Sequence, residues 1–310
     1  MDELENTRKI FMDELIKLAK DNKKIVVLDP DVGEATYTWD FFKAYPDRFY
    51  EFGIAEQNAF GAASGLASTG LTVFAATFAV FSSMRACEMV RTSICYPKRN
   101  VKVIGGYAGI SNGKDGATHQ SIEDVSIMRS FPNMVVMAIS DQIVTEKIVD
   151  TVIDYEGPVY IRMEYELMPK IHKEDLSLKI GKSYIAKEGN DITLISYGTA
   201  LARTMEAARI LKESKIDAEV IDCPSIKPFD KGTFISSIKK TGRLVTLEDH
   251  SVIGGLATIA SEVIVESGIY PKFKKLAIMD IFTESGSTQN LRKRYKIDTE
   301  SVVSAAKSLI

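Results

Sequence analysis

The sequence predicts an α/β protein of two three-layer domains, each built on a mostly parallel sheet covered by helices. Three observations predict it. Short continuous apolar runs of strand length recur along the chain and alternate with helical patterns, as expected of strands buried on both faces. One stretch between Met168 and Asn190, broken up by Pro, Lys, Glu and Gly, interrupts that alternation and then lets it resume. At 310 residues the chain is also long enough for two ordinary cores. The expected units are a first domain over 1–168, a linker with a short edge hairpin over 169–190, and a smaller second domain over 191–310.

The elements follow in order. Ile10, Phe11, Leu15 and Leu18 recur at helical spacing, and that helix stops before Asn22. A strand over 25–28 runs into Asp29-Pro30-Asp31-Val32-Gly33. A small-residue helix over 55–68 precedes a strand over 71–75, and a helix over 82–95 precedes a strand over 101–104. A helix over 121–130 precedes a strand over 134–138, and a helix over 142–153 precedes a strand over 159–162. In the second domain the pattern gives strands over 192–196, 218–221, 244–247 and 273–279, with helices over 201–211, 232–238 and 254–266 between them.

Bulk properties exclude several classes. The hydrophobic fraction of 45% and charged fraction of 26% are those of globular proteins, and the net charge of -3 argues against a nucleic-acid binder. The basic runs at 272–275 and 292–294 read as solvated surface. Three cysteines without metal-ligand spacing (Cys87, Cys95 and Cys223) read as reduced thiols. The acidic start MDELE leads into an amphipathic helix and is unlike a signal peptide, and no apolar run is long enough to span a bilayer. A soluble, cytoplasmic protein is expected.

In open parallel sheets, ligands sit outside the carboxyl ends of the strands. That rule gathers 29–36, 75–81, 105–119 and Arg162 at one rim. The stretch 105–120, GGYAGISNGKDGATHQ, follows a strand and leads to a helix. Ser121-x-x-Asp124 has the form of a capping box, which would start the helix just after His119. His119 could then exchange a proton at the mouth of the sheet, with Asp115 one turn of loop away, or it could simply cap or pack. Glu56 opens the helix over 55–68, where a carboxylate is favoured by the helix dipole whatever else it does. Phe78 and Phe81, at a strand end, suit either core packing or stacking on a flat heterocycle.

Taken together, these segments resemble the C-terminal section of transketolase over nearly the whole chain. GIAEQN at 53–58 and DGATHQSIED at 115–124 carry the resemblance jointly. TLEDH at 246–250, followed by Gly254-Gly255, supports it but is shared with 2-oxoacid dehydrogenase β subunits. The resemblance implies thiamine diphosphate as cofactor. Glu56 matches the glutamate that hydrogen-bonds N1′ of its aminopyrimidine ring, which makes the 4′-nitrogen basic enough to take the thiazolium C2 proton. Phe78 and Phe81 match the aromatic wall of that ring, with Met84 in the place of a third aromatic. His119 matches a histidine at the reacting carbonyl, Asp115 an acid that binds a substrate hydroxyl, and Asp31 an acid facing the cofactor. Arg8 and Arg162 fall where the family clamps a sugar phosphate.

Two departures concern the substrate. Tyr107 stands where the family commonly has His, and Ala35 where it has a phosphate-binding Ser, with Thr36 adjacent. A non-standard sugar or keto substrate is therefore admitted. The family's Gly-Asp-Gly…Asn signature, which holds the diphosphate and its metal, is absent from the sequence. The chain is therefore expected to be one subunit of a split enzyme. An N-terminal transketolase subunit would carry the site for the cofactor's diphosphate and for Mg²⁺ or Ca²⁺ in an α2β2 assembly, and no metal ligand is expected on this chain. The competing readings are a 2-oxoacid dehydrogenase β subunit, a deoxyxylulose-phosphate synthase half, and a non-catalytic binding subunit on the same fold.

Overall fold

The computed structural model describes residues 4–310, so the first three residues of the acidic start lie outside it. The first sheet collects β1 (Ile25–Asp29), β2 (Phe49–Glu51), β3 (Thr72–Phe78), β4 (Val101–Gly106), β5 (Val135–Ala138) and β6 (Val159–Arg162). The second collects β7 (Tyr184–Lys187), β8 (Ile192–Ser196), β9 (Ala218–Asp222), β11 (Arg243–Ser251) and β12 (Lys272–Ile278). Between β9 and β11 the chain sends β10 (Ser225–Lys227) back to the first sheet, antiparallel to β5. The sheet orders are β10-β5-β6-β4-β3-β1-β2 and β12-β11-β8-β9-β7, parallel except at the two edges β10 and β7.

The helices cover these sheets because each presents an apolar stripe. Helix α1 (Thr7–Asp21) is opened by Asn6, whose side chain accepts from the Lys9 amide, and it buries Phe11, Met12, Leu15 and Ala19. It packs beside α6 (Gln142–Ile153), which Asp141 caps through the Val144 amide. The short α2 (Gly33–Thr36) and α3 (Thr38–Ala44) fill the β1–β2 connection. On the other face lie α4 (Glu56–Ser68) and α5 (Asp124–Ser130). Their core, with Phe60, Val90 and Val125, continues without a break into residues of the second domain such as Ile195, Tyr197 and Leu256. The second domain adds α7 (Ala200–Glu213), α8 (Lys231–Thr241), α9 (Leu256–Ser267), α10 (Thr288–Arg294) and α11 (Thr299–Lys307).

Several expectations are corrected. The segment predicted as a helix over 82–95 is wound as two π-helical turns, Phe81–Arg85 and Met89–Cys95. Ala86 donates to the Phe81 carbonyl and Tyr96 to that of Arg91, five residues back in each case. The Ser121 capping box does not form. Ser121 lies in extended backbone bridged to Ala108 and Gly109, and the helix starts only at Asp124. The expected edge hairpin before Asn190 is instead the single strand β7, paired with β9. Arg292 does not belong to a solvated run: it is largely buried and binds Glu166 and Asp249. Cys87, Cys95 and Cys223 are all free thiols.

Candidate functional site

The carboxyl ends of β3, β4 and β6 deliver a row of rings to one rim. Phe78 ends β3, and the first π-helical turn places Phe81 against it with centroids 5.9 Å apart and planes 21° from parallel. Tyr107 follows β4 in the left-handed backbone region at φ 57 and stacks on Phe78 at 4.4 Å. Tyr165, three residues after β6, meets Tyr107 at 4.8 Å. The result is a ladder of four rings, Phe81–Phe78–Tyr107–Tyr165, across the mouth of the sheet.

At the Phe81 end stands Glu56, the first residue of α4 and only 3% exposed. Its Oε1 accepts from Nη1 of Arg85 at 3.1 Å, and the Arg85 guanidinium lies over the Phe81 ring at 4.4 Å. The Arg85 side chain is 50% exposed, so a buried carboxylate is held by a partner that solvent can draw away. Met84, from the same turn, is exposed. His119 lies beside the ladder, edge-on to Phe81 at 5.4 Å and to Phe78 at 6.0 Å, with Nδ1 at 2.9 Å from the Thr118 hydroxyl.

The Tyr165 end opens on a cleft of about 390 Å³ lined by Tyr107, Asn112, Lys114, Asp115 and Tyr165, among others. Asp115 is exposed on the 3-10 turn Gly113–Asp115. Arg8 lies behind the tyrosines, 7% exposed, and donates to the Ala35 carbonyl at 2.6 Å and to the Tyr107 hydroxyl at 3.3 Å. Burial pushes the Tyr107 phenol upward even though Arg8 opposes that shift, so the hydroxyl stays protonated. Asp31 is exposed beyond β1, its backbone N–H donating to Glu51. Beneath it the buried Asp29 accepts from the Val32 amide and from the Thr36 and Thr38 hydroxyls. Burial outweighs those bonds and raises the Asp29 carboxyl to about 6.

The expected phosphate clamp Arg162 is not at the cleft, and Thr36, adjacent to the position of the family's serine, is not free to replace that serine. Arg162 is 1% exposed and spends its donors inside: Nε on Asp124 at 3.0 Å, Nη1 on Glu164, and Nη2 on the Asp249 carbonyl at 2.9 Å. It therefore joins the two domains rather than facing the rim. Gly109 makes this approach possible, since a Cβ there would sit 2.8 Å from the Asp249 carbonyl and 2.9 Å from Arg162. Thr36 is likewise taken: its hydroxyl is buried among Asp29, Val32 and Thr38. Conversely, Arg85, Asn112, Tyr37 and Tyr165 were not singled out from the sequence. Arg85 follows Phe81 by about one turn and Tyr165 follows a strand end, so the rim rule could have found both.

A buried carboxylate beside stacked aromatic faces fits a planar aminopyrimidine: the rings supply apolar contact and Glu56 a fixed acceptor. Among the described residues, no cluster of three or more His, Cys, Asp or Glu could hold a metal ion. Among the described residues, no helix is long and apolar enough to cross a membrane.

Residues 5–170 match the family model "Transketolase, pyrimidine binding domain" and residues 181–302 match "Transketolase, C-terminal domain". The chain is 43% identical to a Methanocaldococcus jannaschii protein named as a transketolase C-terminal section, over 95% of this chain and 93% of that one. It is 36% identical to a 6-deoxy-6-sulfo-D-fructose transketolase subunit of Clostridium sp. strain MSTE9, over 96% and 92%. A solved split-gene transketolase, described as an inactive β4 tetramer, superposes with a TM-score of 0.89 at 40% identity, covering 99% of this chain and 98% of that one. This chain belongs to the transketolase family, as a split-type, β-like subunit.

Proposed function

We propose that this chain is the C-terminal subunit of a split transketolase that moves a two-carbon ketol unit from a ketose to an aldose. The observation that carries the reading is Glu56: a carboxylate buried at a helix start, at the end of a ring ladder, with one displaceable partner. Thiamine diphosphate, which the family uses, would supply the electron sink for C–C cleavage.

The positions of this chain's residues support the following roles. Glu56 holds a proton at the pyrimidine N1′, and Phe78, Phe81 and Met84 exclude water from that ring. His119, within ring contact of Phe78 and Phe81, exchanges a proton with a substrate oxygen. Asp115, on the open side of the cleft, accepts from a substrate hydroxyl. Asp31 faces the cofactor side of the rim. Arg8 binds the far end of the sugar.

The diphosphate and its Mg²⁺ or Ca²⁺ would be held by an N-terminal subunit in an α2β2 assembly. Exposed apolar groups at the rim support a surface that another chain covers, notably Ile54, 76% exposed just before Glu56, and Met84. The test is to reconstitute the pair and assay a ketose donor plus an aldose acceptor against pyruvate as donor. Ketol transfer without pyruvate turnover supports the proposal. Pyruvate turnover alone would assign the chain to another thiamine enzyme.

A further inference from the structure

We infer that Asn112 and Gln120 are positioning residues for His119, and that the second domain takes part in holding that histidine in place. This rests on the ketol-transfer reading and on the proton exchange it gives to His119. The loop 113–119 carries both Asp115 and His119. Its tip is exposed at Lys114, Asp115, Ala117 and Thr118, while Asn112, Gly113, Gly116 and Gln120 form a buried base.

Two amides close this loop crosswise. Asn112, 5% exposed, donates from Nδ2 to the His119 carbonyl at 3.0 Å. Gln120, 2% exposed, donates from Nε2 to the Gly113 carbonyl at 3.1 Å and to the Glu284 carbonyl of the second domain at 3.2 Å. Each side chain thus reaches the opposite limb of the loop. The second domain adds two further ties. The Gly286 amide donates to the same Gly113 carbonyl at 2.9 Å, and the Thr288 hydroxyl donates to the Ser111 carbonyl at 3.2 Å. Gly113 permits that approach, since a Cβ there would stand 2.5 Å from the Gly286 carbonyl oxygen.

Stability alone does not account for these amides. Asn112 Oδ1 and Gln120 Oε1 are both buried without a hydrogen-bond donor. An unpaired buried oxygen costs at least as much as an amide–carbonyl bond returns, so an apolar side chain of similar shape would pack here with little loss. What the amides add is direction. They fix from both ends the peptide that joins His119 to Gln120. The imidazole itself has only the Thr118 hydroxyl at 2.9 Å and edge contacts with Phe78 and Phe81. A proton-exchanging group must stand within hydrogen-bond reach of the reacting oxygen, and a misplacement of about 1 Å can slow turnover ~100-fold.

The experiment uses the reconstituted two-subunit complex with thiamine diphosphate and Mg²⁺, carrying Asn112→Leu or Gln120→Met. These near-isosteric changes remove the donor and the unpaired oxygen together. Urea midpoints are expected to stay close to wild type, whereas kcat for ketol transfer is expected to fall at least ~10-fold. In a His119→Ala background the same changes are expected to alter kcat by less than ~2-fold, because the group they position is gone. Losses of equal size in both backgrounds, or no loss in either, overturn the inference, as does full activity of the His119→Ala complex. A collapse of the urea midpoint makes the amides structural and overturns it as well.

Hydrogen exchange of the full chain gives a readout that needs no turnover. Gln120→Met is expected to lose protection at 113–119 and at 284–288 together. Unchanged exchange at 113–119 overturns the inference, and unchanged exchange at 284–288 overturns the second domain's part in it. If the wild-type complex turns over pyruvate and no ketose, the transketolase reading falls, and the same cycle run on pyruvate decides this inference.

Discussion

Glu56 and Arg85 form an ion pair of 3.1 Å in which the carboxylate is buried and the guanidinium half in solvent. The asymmetry matters because, on the proposed reading, a pyrimidine ring would take this carboxylate as its acceptor. Arg85 compensates a buried charge, and on that reading a bound ring would compete with it for Glu56.

Arg85→Ala should therefore have two opposite effects. Stability should fall by about 1 kcal/mol or less, because a half-exposed pair is screened even when one partner is buried. Cofactor affinity of the assembled complex should rise by roughly 3- to 10-fold as the competitor is removed. Calorimetry on the variant complex reads this directly. Weaker binding would mean that Arg85 holds the cofactor itself.

Arg162 gives a prediction that separates structure from substrate binding. Replacing it with Met leaves Asp124 and Glu164 buried without their cation. Loss of one partner of a buried pair costs about 3–5 kcal/mol. Urea denaturation should show a loss of that size. An unchanged midpoint together with a raised KM for phosphorylated donors would restore the phosphate-clamp role.

Asp29 predicts a pH effect of definite sign. Its folded-state carboxyl lies near 6 against a reference of 3.8, chiefly through burial. The folded protein thus keeps this proton more tightly than the unfolded chain. The associated stability is fully present below about pH 4, declines as pH rises, and is gone above about 6. The shift corresponds to about 3 kcal/mol. Asp29→Asn has no such proton, so it should gain stability relative to wild type across that window by up to this amount. Parallel urea midpoints for the two proteins between pH 4 and 6.5 would contradict the assignment.

Much of the fold was legible because buried parallel strands need continuous apolar runs. Helix 142–153 and strands 159–162 and 192–196 fall where the pattern places them. Strand β10 escaped notice because three residues carry no periodicity and its partner lies in the other domain. The π-helical turns escaped because, over five to seven residues, their spacing cannot be told from that of an α-helix.

At the site, Glu56, Phe78, Phe81, His119, Asp115 and Arg8 are gathered along one rim, as the strand-end rule and the motif resemblance together expect. Arg162 ends a strand at that rim but aims inward, a direction that depends on Asp124 and on Asp249 of the other domain. No local sequence pattern shows that. Arg292 was misread for a similar reason: its neighbours Lys293 and Arg294 are exposed, while it turns toward Glu166 and Asp249.

The pairing of Glu56 with a shared cofactor is tested most directly by titrating thiamine diphosphate, with Mg²⁺, into three samples in a calorimeter. These are the chain alone, the chain assembled with its diphosphate-binding partner, and the same assembly carrying Glu56→Ala. Saturable binding is expected only in the assembly. Turnover by the Glu56→Ala assembly should be lower by at least ~100-fold, the scale of a positioned proton-transfer group. Tight binding by the chain alone, or near-wild-type turnover from the Glu56→Ala assembly, would contradict it.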